Sequence, residues 1–145
     1  MTQPITLQDS FAARNRIAGG IRQTQLVASS SLSALTSANI SLKLEQTQIT
    51  GSFKLRGATN AVLSLTPEQR AAGVVGVSTG NHGRGLAYAA AQAGVRCIIC
   101  MSELVPQNKV DGIKAHGAEV RIVGRSQDDA QVEVDRLVAE GMTML

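Results

Sequence analysis

The chain has 145 residues, 43% of them apolar and 17% charged, with a formal net charge of +3. One ordinary domain, or a small domain plus part of another, fits that length, and so low a charged fraction excludes a disordered or coiled-coil chain. Ten scattered arginines and only three aromatic rings (Phe11, Phe53, Tyr88) argue against a nucleic-acid surface and for a small anionic ligand.

No apolar run approaches a membrane span and no secretory leader is visible, so the expectation is a soluble cytoplasmic protein without membrane contact. In chain order, Thr6 and Asp9 cap a helix predicted to end at Gly19-Gly20, with Leu7, Phe11 and Ala18 on its apolar face. A serine-rich, weakly patterned stretch over 28–41 follows, with a short helix at 31–35 and a strand at 41–45. A polar turn through Gly51 leads into a helix over 52–65 carrying Leu55, Ala58, Val62 and Leu65 on one face. Thr66-Pro67-Glu68-Gln69 opens a short helix that stops at Gly73.

Beyond Gly73 the pattern alternates. Strands are predicted at 74–77, 95–101, 118–123 and 142–145, and helices at 81–92, 106–116 and 127–140. The last helix has Ser126 and Asp129 as its cap and Ala130, Val134, Leu137 and Val138 as its buried stripe. Helices between short apolar strands predict a parallel, doubly wound sheet in an α/β fold, with a composition shift near Ala71 as the boundary. The pattern also reads as a cut chain, because it stops where a strand begins. Cys97 and Cys100 lie three apart in a predicted strand, hence on opposite faces, where they can neither share a metal nor pair. Buried packing is the expectation.

Two constellations carry candidate chemistry. In Thr50-Gly51-Ser52-Phe53-Lys54-Leu55-Arg56-Gly57-Ala58, Lys54 falls among apolar neighbours in the first turn of a helix. A cation there faces the positive end of the dipole, and the neutral amine is the form that condenses with an aldehyde. Phe53 beside it can lie against a flat ring. In Ser78-Thr79-Gly80-Asn81-His82-Gly83-Arg84-Gly85, a strand gives way to a helix through small residues, which lets backbone N–H groups approach a carboxylate or phosphate.

Three other readings compete for this loop. As a dinucleotide fingerprint the glycine spacing is wrong, although Glu103 stands roughly where a ribose-binding acid belongs. As a P-loop it lacks the following Gly-Lys-Ser/Thr. As a nucleophile elbow at Ser78 it needs an acid and a histidine, and Asp111 and His116 fall on one predicted helix, unable both to reach Ser78.

The two motifs together, Ser52-Phe53-Lys54-Leu55-Arg56-Gly57-Ala58 and Ser78-Thr79-Gly80-Asn81-His82-Gly83, resemble the serine/threonine dehydratase family of pyridoxal-phosphate enzymes, of the tryptophan-synthase-β fold type. The resemblance extends through Thr24, Leu26 and Leu42-Lys43-Leu44-Glu45, and among relatives is nearest to bacterial dehydratases linked to hydroxyectoine use. It implies that Lys54 holds pyridoxal phosphate covalently and shuttles the Cα proton, Phe53 packs on the pyridine ring, and Asn81 hydrogen-bonds the ring hydroxyl oxygen. It further implies that Ser78, Thr79, Gly80 and His82, assisted by Asn81, grip the substrate carboxylate. The implied reaction is β-elimination of a hydroxy-amino acid to a 2-oxo acid and ammonia, by an enzyme that is a homo-oligomer at full length.

Departures from the family pattern qualify the resemblance. The run of glycines that cups the cofactor phosphate and the residue facing the pyridine nitrogen are not matched, and Gly19-Gly20 precedes the lysine instead of following it. Gln25 stands where relatives often have proline. Thr79 occupies a variable position at which a serine protonates the opposite face of Cα in racemases, which makes Thr79 a second candidate catalytic residue. The resemblance thus covers an N-terminal portion: residues 1–70 as an incomplete strip of a large cofactor-binding domain and 71–145 as a small α/β domain. That division predicts that Leu55, Val62 and Leu65 face water and that the isolated chain is inactive. The rival assignments are a Rossmann-like nucleotide-binding domain and a non-catalytic truncated paralogue.

Overall fold

A computed structural model describes residues 4–145. The N-terminal part contains α1 (Leu7–Ile17), β1 (Leu26–Ala28), α2 (Ser30–Thr36), β2 (Ser41–Lys43), a turn of 3-10 helix (Glu45–Thr47), α3 (Lys54–Leu63) and α4 (Pro67–Ala72). The rest alternates: β3 (Val74–Val77), α5 (Asn81–Gln92), β4 (Cys97–Met101), α6 (Gln107–Lys114), β5 (Glu119–Ile122), α7 (Gln127–Ala139) and β6 (Thr143–Met144). Helix starts follow from local chemistry. Thr6, Thr66 and Ser126 each close a reciprocal capping box with the residue three positions on, satisfying N–H groups that a helix start leaves free.

The four later strands form one parallel sheet in the order β5-β4-β3-β6. Val74 pairs with Cys97 and Val77 with Cys100, while Val74 pairs with Thr143 on the other side. β4 (Cys-Ile-Ile-Cys-Met) is buried along its whole length, as expected of a strand covered on both faces. Cys97, Ile99 and Met101 join a core with α3, α5 and α6, whereas Ile98 and Cys100 join a second core under α7. The fold is therefore a doubly wound α/β sheet. The two thiols do lie on opposite faces, and burial pushes Cys97 up to about 12 and Cys100 up to about 11.

Three expectations need correction. Leu55, Val62 and Leu65 are buried, because α3 packs on α5 and joins the sheet's larger core, which runs without a break across residue 70. The helix has found a cover inside this chain. On α1, Leu7 and Phe11 are exposed and only Ile17 is buried, so the anticipated apolar face is not used; Arg16 instead bonds Asn60 on α3. Val138 is also exposed, while Ala130, Val134 and Leu137 are buried.

β1 was not anticipated. It pairs antiparallel with β2, Leu26 opposite Lys43 and Ala28 opposite Ser41.

Candidate active site

Because β4 and β6 flank β3, the chain leaves β3 to one side and returns to it from the other. A crevice opens beyond the carboxyl ends of strands at such a switch point. A pocket of about 510 Å³ occupies that position. Lys54 from α3 borders it, together with the loop Ser78, Thr79, Gly80, Asn81 and His82 between β3 and α5. Arg84 on α5, Asn108 and Lys109 on α6 and Gln127 on α7 complete its wall. A second cavity of about 350 Å³, mainly apolar, is bordered by Phe53, Gly57, Ala58 and Leu86, and Lys54 borders it as well.

All seven residues assigned to the site in the sequence thus converge on two adjoining cavities, which share Lys54 and His82. Lys54 is the first residue of α3, its N–H donating to Ser52 Oγ at 3.3 Å. The first turn of α3 holds no acidic residue. Its ammonium lies 5.6 Å from the centroid of the Phe53 ring, within cation–π range. The side chain is exposed, not desolvated among its apolar neighbours.

A glycine sets the distance between lysine and loop. A Cβ on Gly85 would stand 3.2 Å from Leu55 N and 3.3 Å from the Lys54 carbonyl carbon. With that atom present, the first turn of α3 would have to give way by a few tenths of an ångström.

Inside the loop, buried Ser78 accepts hydrogen bonds at Oγ from the N–H groups of Gly83 (2.8 Å) and Gly80 (3.2 Å). Its hydroxyl proton remains for an acceptor, the role suited to a carboxylate. α5 then begins at Asn81 with no acid in its first turn, so the positive end of its dipole is uncompensated. His82 Nε2 lies 3.2 Å from the Leu145 carbonyl, and since a carbonyl only accepts, this nitrogen carries the proton.

The competing assignments lose their partners. Asp111 accepts from Gln107 at 2.8 Å, and His116 packs edge-on against Tyr88 at 5.5 Å, so neither serves Ser78. Glu103 is exposed and paired with Arg125 at 3.0 Å. Sequence reasoning assigned no role to Arg84, Asn108, Lys109 or Gln127. The available signal was topological: in a parallel sheet each helix begins at the carboxyl end of the preceding strand, so the first-turn residues of α6 and α7 belong to the crevice.

The donor set is a primary amine, two further cations, amides, an imidazole and two hydroxyls, with no carboxylate bordering the larger pocket. It suits a ligand that combines a carbonyl with negative charge, and pyridoxal phosphate is such a ligand. Fold and site together define a doubly wound α/β protein with an amine-bearing anion pocket at its switch point.

Residues 17–145 match the family described as pyridoxal-phosphate dependent enzyme, and the chain belongs to that family. It is 59% identical over 142 residues to a provisionally named threonine dehydratase of Sinorhizobium fredii, an alignment covering 97% of this chain and 43% of that protein. It is 39% identical over 143 residues to the catabolic L-threonine dehydratase of Staphylococcus aureus, covering 97% of the chain and 41% of the relative. Among solved structures, serine racemase from Dictyostelium discoideum superimposes with a TM-score of 0.91 at 33% identity, over 97% of this chain and 46% of that one. The chain therefore spans less than half the length of the relatives it matches.

Proposed function

We propose that this chain supplies the lysine-bearing half of the active site of a pyridoxal-phosphate-dependent dehydratase. Its substrates are serine, threonine or a related hydroxy-amino acid, eliminated to a 2-oxo acid and ammonia. The observation that carries the reading is the convergence of Lys54 with the loop 78–82 on one carboxylate-free pocket.

In this reading Lys54 Nζ holds the cofactor at its aldehyde carbon and later moves the proton at the substrate's Cα. Phe53 and the apolar cavity flank the pyridine ring, and Asn81 hydrogen-bonds its hydroxyl oxygen. The bound cofactor supplies the electron sink. Ser78, with two N–H groups already donated to it, directs its own proton to the α-carboxylate, and Gly80 and the start of α5 add backbone N–H groups and dipole. Thr79, exposed at the loop tip, faces the pocket as a further proton-handling hydroxyl. His82, held at Leu145, fixes the far end of the loop. The reading assigns residues 1–70 to a large cofactor domain and 71–145 to a small one, with α3 as the seam, in a cytoplasmic homo-oligomer.

The test is Lys54→Ala. In the active enzyme carrying this chain, 2-oxo-acid release from serine or threonine should fall by several orders of magnitude. Borohydride reduction of the wild-type chain with pyridoxal phosphate should leave an adduct on Lys54, found by peptide mass spectrometry. Undiminished turnover, or an adduct that persists in Lys54→Ala, overturns the assignment.

A further inference from the structure

Two residues of the sequence motifs have no part in the chemistry assigned above: Arg56, two positions after Lys54, and Glu45, at the end of Leu42-Lys43-Leu44-Glu45. Arg56 lays its guanidinium along the Glu45 carboxylate as a fork, Nε donating to Oε2 at 3.0 Å and Nη2 to Oε1 at 2.8 Å. The same Nη2 lies 3.3 Å from the Arg22 carbonyl and 3.3 Å from Thr24 Oγ1. Thr24 is buried and donates its hydroxyl to Glu45 Oε1 at 2.6 Å, while Lys43 Nζ donates to the Thr24 carbonyl. Three pieces of chain, at residues 22–24, 43–45 and 56, therefore close on one ion pair.

The helix turn that carries Arg56 needs such an anchor. Phe53 precedes α3 with no side-chain hydrogen bond to the free N–H groups of the first turn, where a cap would normally supply one. Ser52 Oγ reaches only the Lys54 N–H, and at 3.3 Å that bond is long. Among the described residues no ion pair engages Lys54. A helix end held so weakly frays at little cost, and fraying here moves the amine relative to the loop 78–82. The closeness of Gly85 to Leu55 N and to the Lys54 carbonyl carbon limits the turn where it meets α5. The Glu45 fork supplies a second hold, and Arg56 also borders the apolar cavity that Lys54 shares.

We propose that Arg56, clamped by Glu45, is a positioning residue that sets where Lys54 Nζ stands relative to the loop, and so how readily that amine meets the cofactor's aldehyde carbon. This deepens the dehydratase reading and rests on it. Both residues act through Lys54. The planar guanidinium fork fixes direction as well as distance, which a lysine in its place would not do. Displacing a reacting group by about 1 Å costs up to about a hundredfold in rate, so even a modest loosening of this turn is measurable.

The experiment treats the 145-residue chain with pyridoxal phosphate and borohydride. Peptide mass spectrometry compares the labelling rate of Lys54 with that of Lys114, an exposed lysine in the last turn of α6. Lys54 should be labelled in preference. Glu45→Gln and Arg56→Gln should each lower the Lys54-to-Lys114 ratio about tenfold. The double variant should fall no further than either single one, because the two side chains act as a unit. Arg56→Lys, which keeps the charge without the fork, should retain only part of the wild-type ratio. Hydrogen exchange should show β3 to β6 as well protected in the variants as in the wild type.

An unchanged ratio in both glutamine variants overturns the proposal. So do losses that multiply in the double variant, since the residues would then act separately. A full wild-type ratio in Arg56→Lys overturns it too, because charge alone would suffice. Lost protection across β3 to β6 would make the pair a prop of the whole fold rather than of the lysine's turn, and the proposal fails. A wild-type chain that labels Lys54 no faster than Lys114 refutes the dehydratase reading and the proposal with it. A clear preference for Lys54 that no variant alters refutes the positioning role alone.

Discussion

Around the parallel sheet, Leu55, Val62, Leu86, Ile98 and Ile99 are wholly buried, whereas in the β1–α2–β2 segment Leu26, Leu35 and Leu42 are 66%, 81% and 41% exposed. The first region is held by apolar burial on both faces of a sheet. The second is held by a few polar ties. Gln48 is the principal one: its Nε2 donates to Arg22 O at 2.9 Å, and its Oε1 accepts from Arg22 N–H at 2.8 Å and from Ile49 N–H at 3.1 Å. Glu45 is another, accepting from Arg56 at 2.8 and 3.0 Å and from Thr24 at 2.6 Å. The Arg56 hydrogen bonds hold the Glu45 carboxyl below the usual carboxylate range. Individual polar contacts contribute about 1 kcal/mol, so a segment resting on a handful of them opens at far lower cost than one sharing a core.

The contrast can be broken first in the core. Leu86→Ala should destabilise the chain by about 2–5 kcal/mol, because the cavity cannot collapse between α3, α5 and the sheet. Leu42→Ala should stay within about 0.5 kcal/mol, as an exposed substitution does. Urea unfolding of both variants measures the difference, and equal losses would mean that both regions share one core.

A smaller effect is expected at Gln48→Ala, about 1–3 kcal/mol, since three backbone groups lose a buried partner. It should appear as faster amide hydrogen exchange around residues 22–49, with protection of β3 to β6 retained. Uniform loss across the chain would show that the segment does not open separately.

The smallest effect concerns charges on the rim of the sheet. Arg136, and after it Arg121, hold Glu133 down to about 2 from the ordinary glutamate value of 4.5. Because the folded value is the lower one, the stabilisation is complete above about pH 4.5 and is lost as pH falls toward about 2. Glu133→Gln should lose less stability over that window, read from urea midpoints at successive pH values. An unchanged acid slope would show that other carboxylates set it.

Much of this was legible in the sequence because it is local. Caps at Thr6, Thr66 and Ser126 are written in four consecutive residues, and the unbroken apolar run of β4 marks a strand buried on both faces. Lys54 and the loop 78–82 were legible as motifs. What sequence reading missed depends on distant partners. β1 is three residues long and exposed, so it carries no alternation to detect; backbone bonds to β2 alone define it. The apolar stripe of α3 was correctly seen but its cover was not, since α5 begins eighteen residues after α3 ends. Arg84 and Lys109 look like ordinary helix-surface cations until α5 and α6 are set side by side.

Gly85 has a diagnostic consequence. The gap between α3 and α5 at Lys54 is set by an atom that is missing, so any side chain at position 85 acts as a wedge under the first turn of α3. The wedge displaces the lysine backbone relative to the loop. On the proposed function, a genetic screen for lost dehydratase activity would recover position 85 alongside position 54. Its hits would be scored as active-site lesions, although Gly85 borders neither of the two cavities that Lys54 joins.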